Sequence, residues 1–295
     1  MNLKIEMIGN SPAFARLLNA ARMVAATDAS LLLLGESGSG KATLAREIHA
    51  ASPGRADPFL TFACSGAPPG GFASFLDESA SRQSRLYLSE VAELNADDQA
   101  RLLHLLVQRD QGARSAPHRL IAASAQDLEA AIRQGRFRRD LYQRLCVVPL
   151  EVPPLRERVL DIPLLTEHFI LQAAARLQRD PPRLTAGAER LLRRYHWPGN
   201  LRELANLCER LVILLPGASV GPENLPREIL HGQPAGEAPS GFDLPPHGLD
   251  LNSLEAELIR QALALAGGNK SRAARLLGLS RDTLLYRLRK HLIPG

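Results

Sequence analysis

The run Gly35-Glu36-Ser37-Gly38-Ser39-Gly40-Lys41 follows a short apolar stretch, Ser30 to Leu34, and precedes TLAREIHA, whose apolar residues recur at helical spacing. Strand, glycine-rich turn, helix is the setting in which GxxxxGK becomes a phosphate-binding loop. Glycines let backbone N–H groups converge on a phosphate, the helix N-terminus adds the positive end of its dipole, and Lys41 reaches toward the outer phosphates. Ala42 stands where a Ser or Thr hydroxyl would hold magnesium, with Thr43 beside it. The loop commits the chain to an α/β architecture, and apolar runs at 86–88 and 119–124 supply further buried strands. With amphipathic DDQARLLHLLVQ between them, they predict a parallel sheet.

Beyond the sheet, the pattern from Asp161 to about Leu214 is wholly helical, punctuated by PPRLT and HWPGN. HGQPAGEAPSGFDLPPHG, dense in Pro and Gly, cannot hold a core and reads as a linker. The expected fold is α/β, a P-loop parallel sheet followed by an α-helical segment, plus a small all-α helix-turn-helix domain. The boundaries expected are 1–160 for the nucleotide-binding subdomain, 161–230 for the helical segment, 231–249 for the linker and 250–295 for the last domain.

Charge singles out that last domain. Eight basic residues against three acidic ones from Leu251 onward give +5, the formal charge of the whole 295-residue chain, so the preceding 250 residues sum to zero. A basic excess confined to one small segment predicts a polyanion partner for it. Within it, Leu254, Leu258, Ile259, Ala262 and Leu265 mark one helix face, ending at Gly267-Gly268. Asn269 can cap a second helix, with Ala273, Ala274 and Leu277 facing in; Gly278-Leu279 turns the chain, and Ser280 can cap a third whose Leu284 and Leu288 face in. Ser280, Arg281, Thr283 and Arg287 are left on the outer side of a recognition helix, where arginine can read guanine in the major groove of double-stranded DNA. Lys270, Arg272, Arg289 and Lys290 are placed for phosphates.

Cys64, Cys146 and Cys208 form no CxxC pair, so neither a disulfide framework nor a zinc site is encoded, and no metal site is expected. The N-terminus lacks a leader pattern and no apolar run approaches membrane-spanning length, so a cytoplasmic protein without a membrane partner is expected.

Taken together, MIGNSPAF at 7–14, GESGSGK at 35–41, GRFRRDLYQRL at 135–145, PPLRERVLDIPLL at 153–165, WPGNLREL at 197–204 and GGNKSRAARLLGLSRDTLLYRL at 267–288 resemble the sigma-54-dependent activators, or bacterial enhancer-binding proteins. The resemblance runs almost end to end and implies an AAA+ ATPase domain followed by a Fis-type helix-turn-helix. It begins at the AAA+ module, and no N-terminal receiver domain is expected. By resemblance Arg138 and Arg144 match arginine fingers that reach into a neighbouring subunit's site, and Arg202 matches an arginine of the helical lid. Fis-type modules dimerise, which implies a palindromic DNA site and a homo-oligomer, with an AAA+ ring and mixed assembly with a complete relative as further associations.

The sequence departs from the family at chemically specific points. The Walker B strand, which ends Asp-Glu in the family, reads LYLSE, so Ser89 replaces the magnesium-holding aspartate while Glu90 remains as a vestigial catalytic carboxylate. Ala63 takes the place of the asparagine that restrains that glutamate, and Ala125 that of the asparagine sensing the γ-phosphate. Between Cys64 and Ser89 there is no GAFTGA signature, and the interval is too short for the usual helix-loop-helix insertion, so contact with sigma-54 RNA polymerase is not expected to survive intact. The resulting expectation is ATP or ADP binding with weakened Mg2+ coordination and little turnover, because phosphoryl transfer depends on positioning and charge stabilisation. Two rivals stand beside it: an active sigma-54 remodelling ATPase, and an inhibitory subunit that joins a complete relative without needing DNA.

Overall fold

The computed structural model describes residues 7–81, 84–111, 119–231, 250–267, 269–279 and 281–291. The chain divides into two compact units, Met1–Ala235 and Gly236–Gly295.

The first unit opens with α1 (Pro12–Ala25), β1 (Leu31–Leu34), α2 (Lys41–Ala50), β2 (Phe59–Ala63), α3 (Gly71–Ser81) and β3 (Arg85–Ser89). It continues through α4 (Ala96–Asp110), β4 (Arg119–Ser124), α5 (Leu128–Arg133), α6 (Arg139–Leu145) and β5 (Val148–Glu151). The strands make one parallel sheet in the order β2-β3-β4-β1-β5. The apolar runs read from sequence are β1, β3 and β4, the three interior strands. The sheet's outer strands, β2 and β5, carried no such signal, since β2 is half exposed and β5 contains Pro149, which an edge tolerates.

Period-two alternation explains how the sheet is covered on both sides. Leu32, Leu86, Leu88, Leu120 and Ala122 pack with residues of α3, α4 and α6, whereas Leu31, Leu33, Tyr87, Ile121 and Ala123 pack with α1 and α2. Each fully buried leucine contributes about 1.5–3 kcal/mol by removing apolar surface from water. α3 lies in the interval where the sigma-54 loop of the family would fall, and its Phe72 and Phe75 pack tilted against Phe62 of β2.

A second core belongs to α7 (Ile162–Leu177), β6 (Arg183–Leu184), α8 (Ala186–Arg194), α9 (Asn200–Leu214), β7 (Ser219–Val220) and α10 (Arg227–His231). The wholly helical reading of this stretch needs correction. PPRLT contains β6, which pairs in parallel with β7, Arg183 opposite Ser219 and Leu184 opposite Val220. Two-residue strands are too short to leave a periodic signal. Thr185, the last residue of PPRLT, caps α8 by accepting from the Ala188 N–H at 3.3 Å. Trp197 of HWPGN is fully buried in left-handed backbone, and its Nε1 donates to the Leu192 carbonyl at 2.9 Å.

Two of the sequence blocks meet in a buried ion pair. Asp161 accepts from the backbone N–H groups of Asn10 and Ser11 at 2.6 and 2.7 Å, from Ser11 Oγ at 2.7 Å and from Arg158 Nε at 3.0 Å. Arg158 also donates to the Ile8 carbonyl at 3.0 Å and stacks 3.5 Å over Phe14. Burial alone would raise the Asp161 pKa, but the hydrogen bonds from Ser11, Asn10 and Arg158 overcome it and hold the carboxyl below its usual range.

The second unit holds α11 (Leu251–Leu265), α12 (Lys270–Leu276) and α13 (Arg281–Lys290) around Ile259, Ala262, Ala266, Ala273, Ala274, Leu284 and Leu288. Asn269 caps α12 by accepting from the Arg272 N–H at 3.1 Å, and Gly267 and Gly278 take left-handed backbone after α11 and α12. Leu277 is half-buried against this core. Leu258, expected to face inward, is instead 44% exposed. The buried stripe of α11 runs Ala256, Ile259, Ala262, Ala266, and position 258 lies to one side of it. The side chains of Leu254 and Leu265, the expected cap Ser280, residue Gly268 and the linker at 232–249 lie outside the described residues.

Among the described residues no helix is long and apolar enough to cross a membrane, and no cluster of His, Cys, Asp or Glu is arranged to hold a metal ion.

Candidate nucleotide site and DNA-binding module

The glycine-rich loop leaves the C-terminal end of β1, at the point where the chain's strand order reverses between β4 and β5. Open α/β sheets bind ligands in such a crevice. The Gly35 N–H donates to the Ser124 carbonyl at 3.2 Å, and Gly38 and Gly40 have φ of +75° and +104°. A Cβ at Gly38 would approach the Gly199 carbonyl oxygen to 2.3 Å, so that glycine is required by contact as well as by backbone angle. Lys41 opens α2 and is buried; its Nζ donates to the Gly35 and Glu36 carbonyls at 2.6 and 3.1 Å and lies 3.4 Å from Glu90 Oε1. Burial lowers the Lys41 pKa, and Glu90 offsets part of that shift. Ala42 and Thr43 are exposed, and Ser39 is buried.

Three residues of the helical segment reach this loop. Asn200 Nδ2 donates to Glu36 Oε2 and to the Ser37 carbonyl, both at 3.1 Å, while its Oδ1 accepts from the Leu155 N–H at 2.8 Å. Arg202 Nη1 donates to Ser37 Oγ at 3.2 Å, and the Leu201 N–H donates to the Gly38 carbonyl at 3.0 Å. Arg156 grips Glu36 through two hydrogen bonds of 2.8 and 2.6 Å, and it is the first cause of that carboxyl's lowered pKa. Sequence reasoning chose Arg202 and missed Arg156 and Asn200. Both stand inside blocks quoted for the family resemblance, but nothing in their spacing links them to residue 36.

The three positions expected to depart from the family, 63, 89 and 125, lie at the ends of neighbouring strands. Ala63 and Ser89 sit opposite one another across β2 and β3. Ser89 Oγ donates to the Phe62 carbonyl at 3.4 Å, and Ala63 and Ala125 are exposed. Glu90, in left-handed backbone at φ +54°, accepts from the Ala125 N–H at 2.7 Å through Oε2 while Oε1 faces Lys41. Thus Glu90 is held by Lys41 of the glycine-rich loop and by the backbone N–H of Ala125. The two arginines expected to act as fingers are paired within the chain: exposed Arg138 makes a two-bond contact with Asp140 at 3.0 and 2.7 Å, and half-buried Arg144 pairs with Asp110.

In the second unit, Lys270 is half-buried and Arg272 exposed, and neither forms an ion pair among the described residues. Thr283 is half-buried. Arg287, expected to stand on the outer side of the recognition helix, turns its Nη1 to Glu255 Oε1 of α11 at 2.5 Å. Lys290 and His291 meet the other oxygen of Glu255 at 3.1 and 2.7 Å. The hydrogen bond from His291 first, then that from Lys290, brings the Glu255 pKa down to about 2. Ser280 and the side chains of Arg281 and Arg289 lie outside the described residues.

A parallel sheet carrying a phosphate loop, a helical segment hydrogen-bonded to it, and a separate three-helix module with a capped turn define a regulator built on an AAA+ fold. Residues 7–151 match the Sigma-54 interaction domain, 156–241 the AAA+ ATPase lid domain, and 251–291 the Fis family of bacterial regulatory proteins. The chain belongs to the sigma-54 activator family of transcription regulators. It is 39% identical to the transcriptional regulatory protein ZraR of Klebsiella oxytoca, covering 96% of this chain and 68% of that one. It is 37% identical to XylR of Pseudomonas putida, covering 96% and 56% respectively. Among solved structures, NtrX of Brucella abortus in complex with ADP superposes with a TM-score of 0.71 at 32% identity, over 98% of this chain and 69% of that chain. NtrX solved with ATP superposes equally well, over 99% and 70%.

Proposed function

We propose that the chain is a sequence-specific DNA-binding regulator that holds ATP or ADP in the loop at 35–41 and hydrolyses ATP poorly. Nucleotide binding is supported by the cradle itself: left-handed glycines, a buried lysine beside them, and a lid arginine bonded to Ser37. The NtrX structures with ADP and ATP support the same reading. In this reading Gly35 to Lys41 and Arg202 surround the phosphates.

Magnesium fits the site less well. A hard divalent cation favours anionic carboxylate oxygens, whereas position 42 has no oxygen on its side chain and Ser89 offers a neutral hydroxyl in place of a carboxylate. The observation that carries the proposal is the state of Glu90, bonded to Lys41 and to the Ala125 N–H beside two lost family side chains at Ala63 and Ser89. A carboxylate so engaged is poorly placed to orient an attacking water. Regulation then proceeds through occupancy of DNA as a homo-oligomer, dimeric through the C-terminal module, or through rings mixed with a complete relative. In those rings Arg138, exposed, and Arg144, half-buried, would meet a neighbour's nucleotide.

Purified protein should bind a fluorescent ATP analogue yet release phosphate at least about a hundredfold more slowly than a complete relative, since a lost charge-stabilising contact costs roughly that much. Restoring the family residues together, Ser89→Asp with Ala63→Asn and Ala125→Asn, should raise turnover. Phosphate release by the unmodified chain at a complete relative's rate, coupled to opening of a sigma-54 promoter, would sink the proposal.

A further inference from the structure

Arg287 and Lys290 were assigned from sequence to two tasks, base reading and phosphate contact, yet the structure brings both to a single acidic residue on a different helix. Glu255 Oε1 takes Arg287 Nη1 at 2.5 Å, and Oε2 takes Lys290 Nζ at 3.1 Å and His291 Nε2 at 2.7 Å. Of these four side chains His291 is nearly buried at 9% exposure, while Arg287 and Lys290 keep 38% and 45%. The cluster therefore sits at the surface with its two long cations still reachable. On α12, by contrast, Lys270, Arg272 and Arg275 form no ion pair among the described residues. Among the described side chains, the cations of α12 thus form no ion pair, whereas those at the end of α13 are restrained by Glu255.

We propose that Glu255 is a specificity-determining residue: it buttresses Arg287 for base contact and withholds Arg287 and Lys290 from indiscriminate contact with DNA phosphates. The chemistry follows from the donor inventory. A guanidinium has five N–H donors, so a carboxylate on Nη1 leaves the Nη2 and Nε edge for a two-bond contact with guanine. Fixing one edge also removes rotamer freedom that would otherwise be lost on binding. Phosphate attraction is not directional in this way and grows with each cation made available, which strengthens binding to every sequence alike. Removing the carboxylate should therefore raise affinity for random DNA while loosening recognition of a preferred site.

The inference rests on the DNA-binding reading above, and the experiment separates the two. Duplexes enriched from a random pool by the full-length protein serve as selected DNA, and an unselected duplex of equal length serves as the reference. Binding of both is measured across a salt series for the unaltered protein and for Glu255→Gln. With Glu255→Gln, affinity for unselected DNA should rise several-fold, the slope of log affinity against log salt should steepen by about one to two for the cations released, and the selected-to-unselected ratio should fall about tenfold. Unchanged slope and ratio in a folded variant would overturn the proposal and leave Glu255 as a purely structural ion-pair partner. Should Glu255→Gln fail to fold, Arg287→Lys decides: it keeps the charge on Glu255 but loses the planar fork, so the ratio should fall with the slope unchanged, and an unchanged ratio would overturn the proposal. Failure of the unaltered protein to bind any duplex would instead sink the DNA-binding reading.

Discussion

The glycine-rich loop and the C-terminal module differ in how they hold their polar groups. At the loop, Gly38 approaches Gly199 closely and Asn200 and Arg202 tie the loop to the helical segment, while the neighbouring strand ends carry Ala63, Ser89 and Ala125, none of which has a carboxylate or amide side chain. In the module, the described residues show the Asn269 cap and the left-handed turn at Gly278, and Arg287 and Lys290 are held in a defined arrangement by Glu255. On the proposed reading, the difference teaches that phosphate binding and phosphate hydrolysis are separable demands: the first needs backbone and one cation, the second needs a few groups placed in register with the reacting atoms.

Four experiments sharpen or break this contrast. The largest effect is expected from Asp161→Ala, which strands the buried Arg158 guanidinium and should destabilise the first unit by about 3–5 kcal/mol. Trp197 is the only tryptophan of the chain, so its fluorescence in a urea titration reports that unit. Loss of DNA binding under conditions where the tryptophan signal is still native would contradict a damage confined to the first unit. Lys41→Ala should come next, weakening nucleotide binding by about 2–5 kcal/mol, since it takes away a cation directed at the phosphates. DNA affinity should hold steady in that variant.

Arg287→Ala should lower affinity for selected DNA by about 1–3 kcal/mol and relax the choice of one base pair, read by a binding competition across single-base variants. An equal loss on every duplex would reassign Arg287 to phosphate contact. The smallest effect belongs to Asn269→Ala, which removes the α12 cap and should cost about 1 kcal/mol, seen as a lower melting temperature of the module's helical signal.

Acid adds a further check on the first unit. The Asp161 carboxyl is held below its ordinary value when folded, so its stabilisation is complete above the unfolded pKa of about 3.9 and disappears as pH falls through the lower folded value. Stability measured by Trp197 fluorescence should therefore drop below about pH 4. Asp161→Asn should flatten that part of the profile.

Much of this was legible in sequence because it rests on local rules. The interior strands announced themselves as apolar runs, the loop by its glycines, and α12 by an asparagine cap before an apolar stripe. What escaped depends on residues far apart in the chain. β2 and β5 lie at the sheet edges and lack a continuous apolar run, and β6 and β7 are two residues each. Leu258 was misplaced because an apolar residue next to a buried stripe looks, in sequence, like part of it. The partners of Glu36, Glu90 and Arg287 are invisible for the same reason: hydrogen bonds and ion pairs across 32 to 120 positions leave no spacing signature.

The Asn200 amide has one more consequence, a temporal one. Its three hydrogen bonds join Glu36, Ser37 and Leu155, partners up to 164 positions away along the polypeptide. Contacts of such separation carry a larger loop-closure cost than local ones. The loop at 35–41 is therefore complete only once these distant parts of the chain have met, and a ligand bound there would reward that meeting.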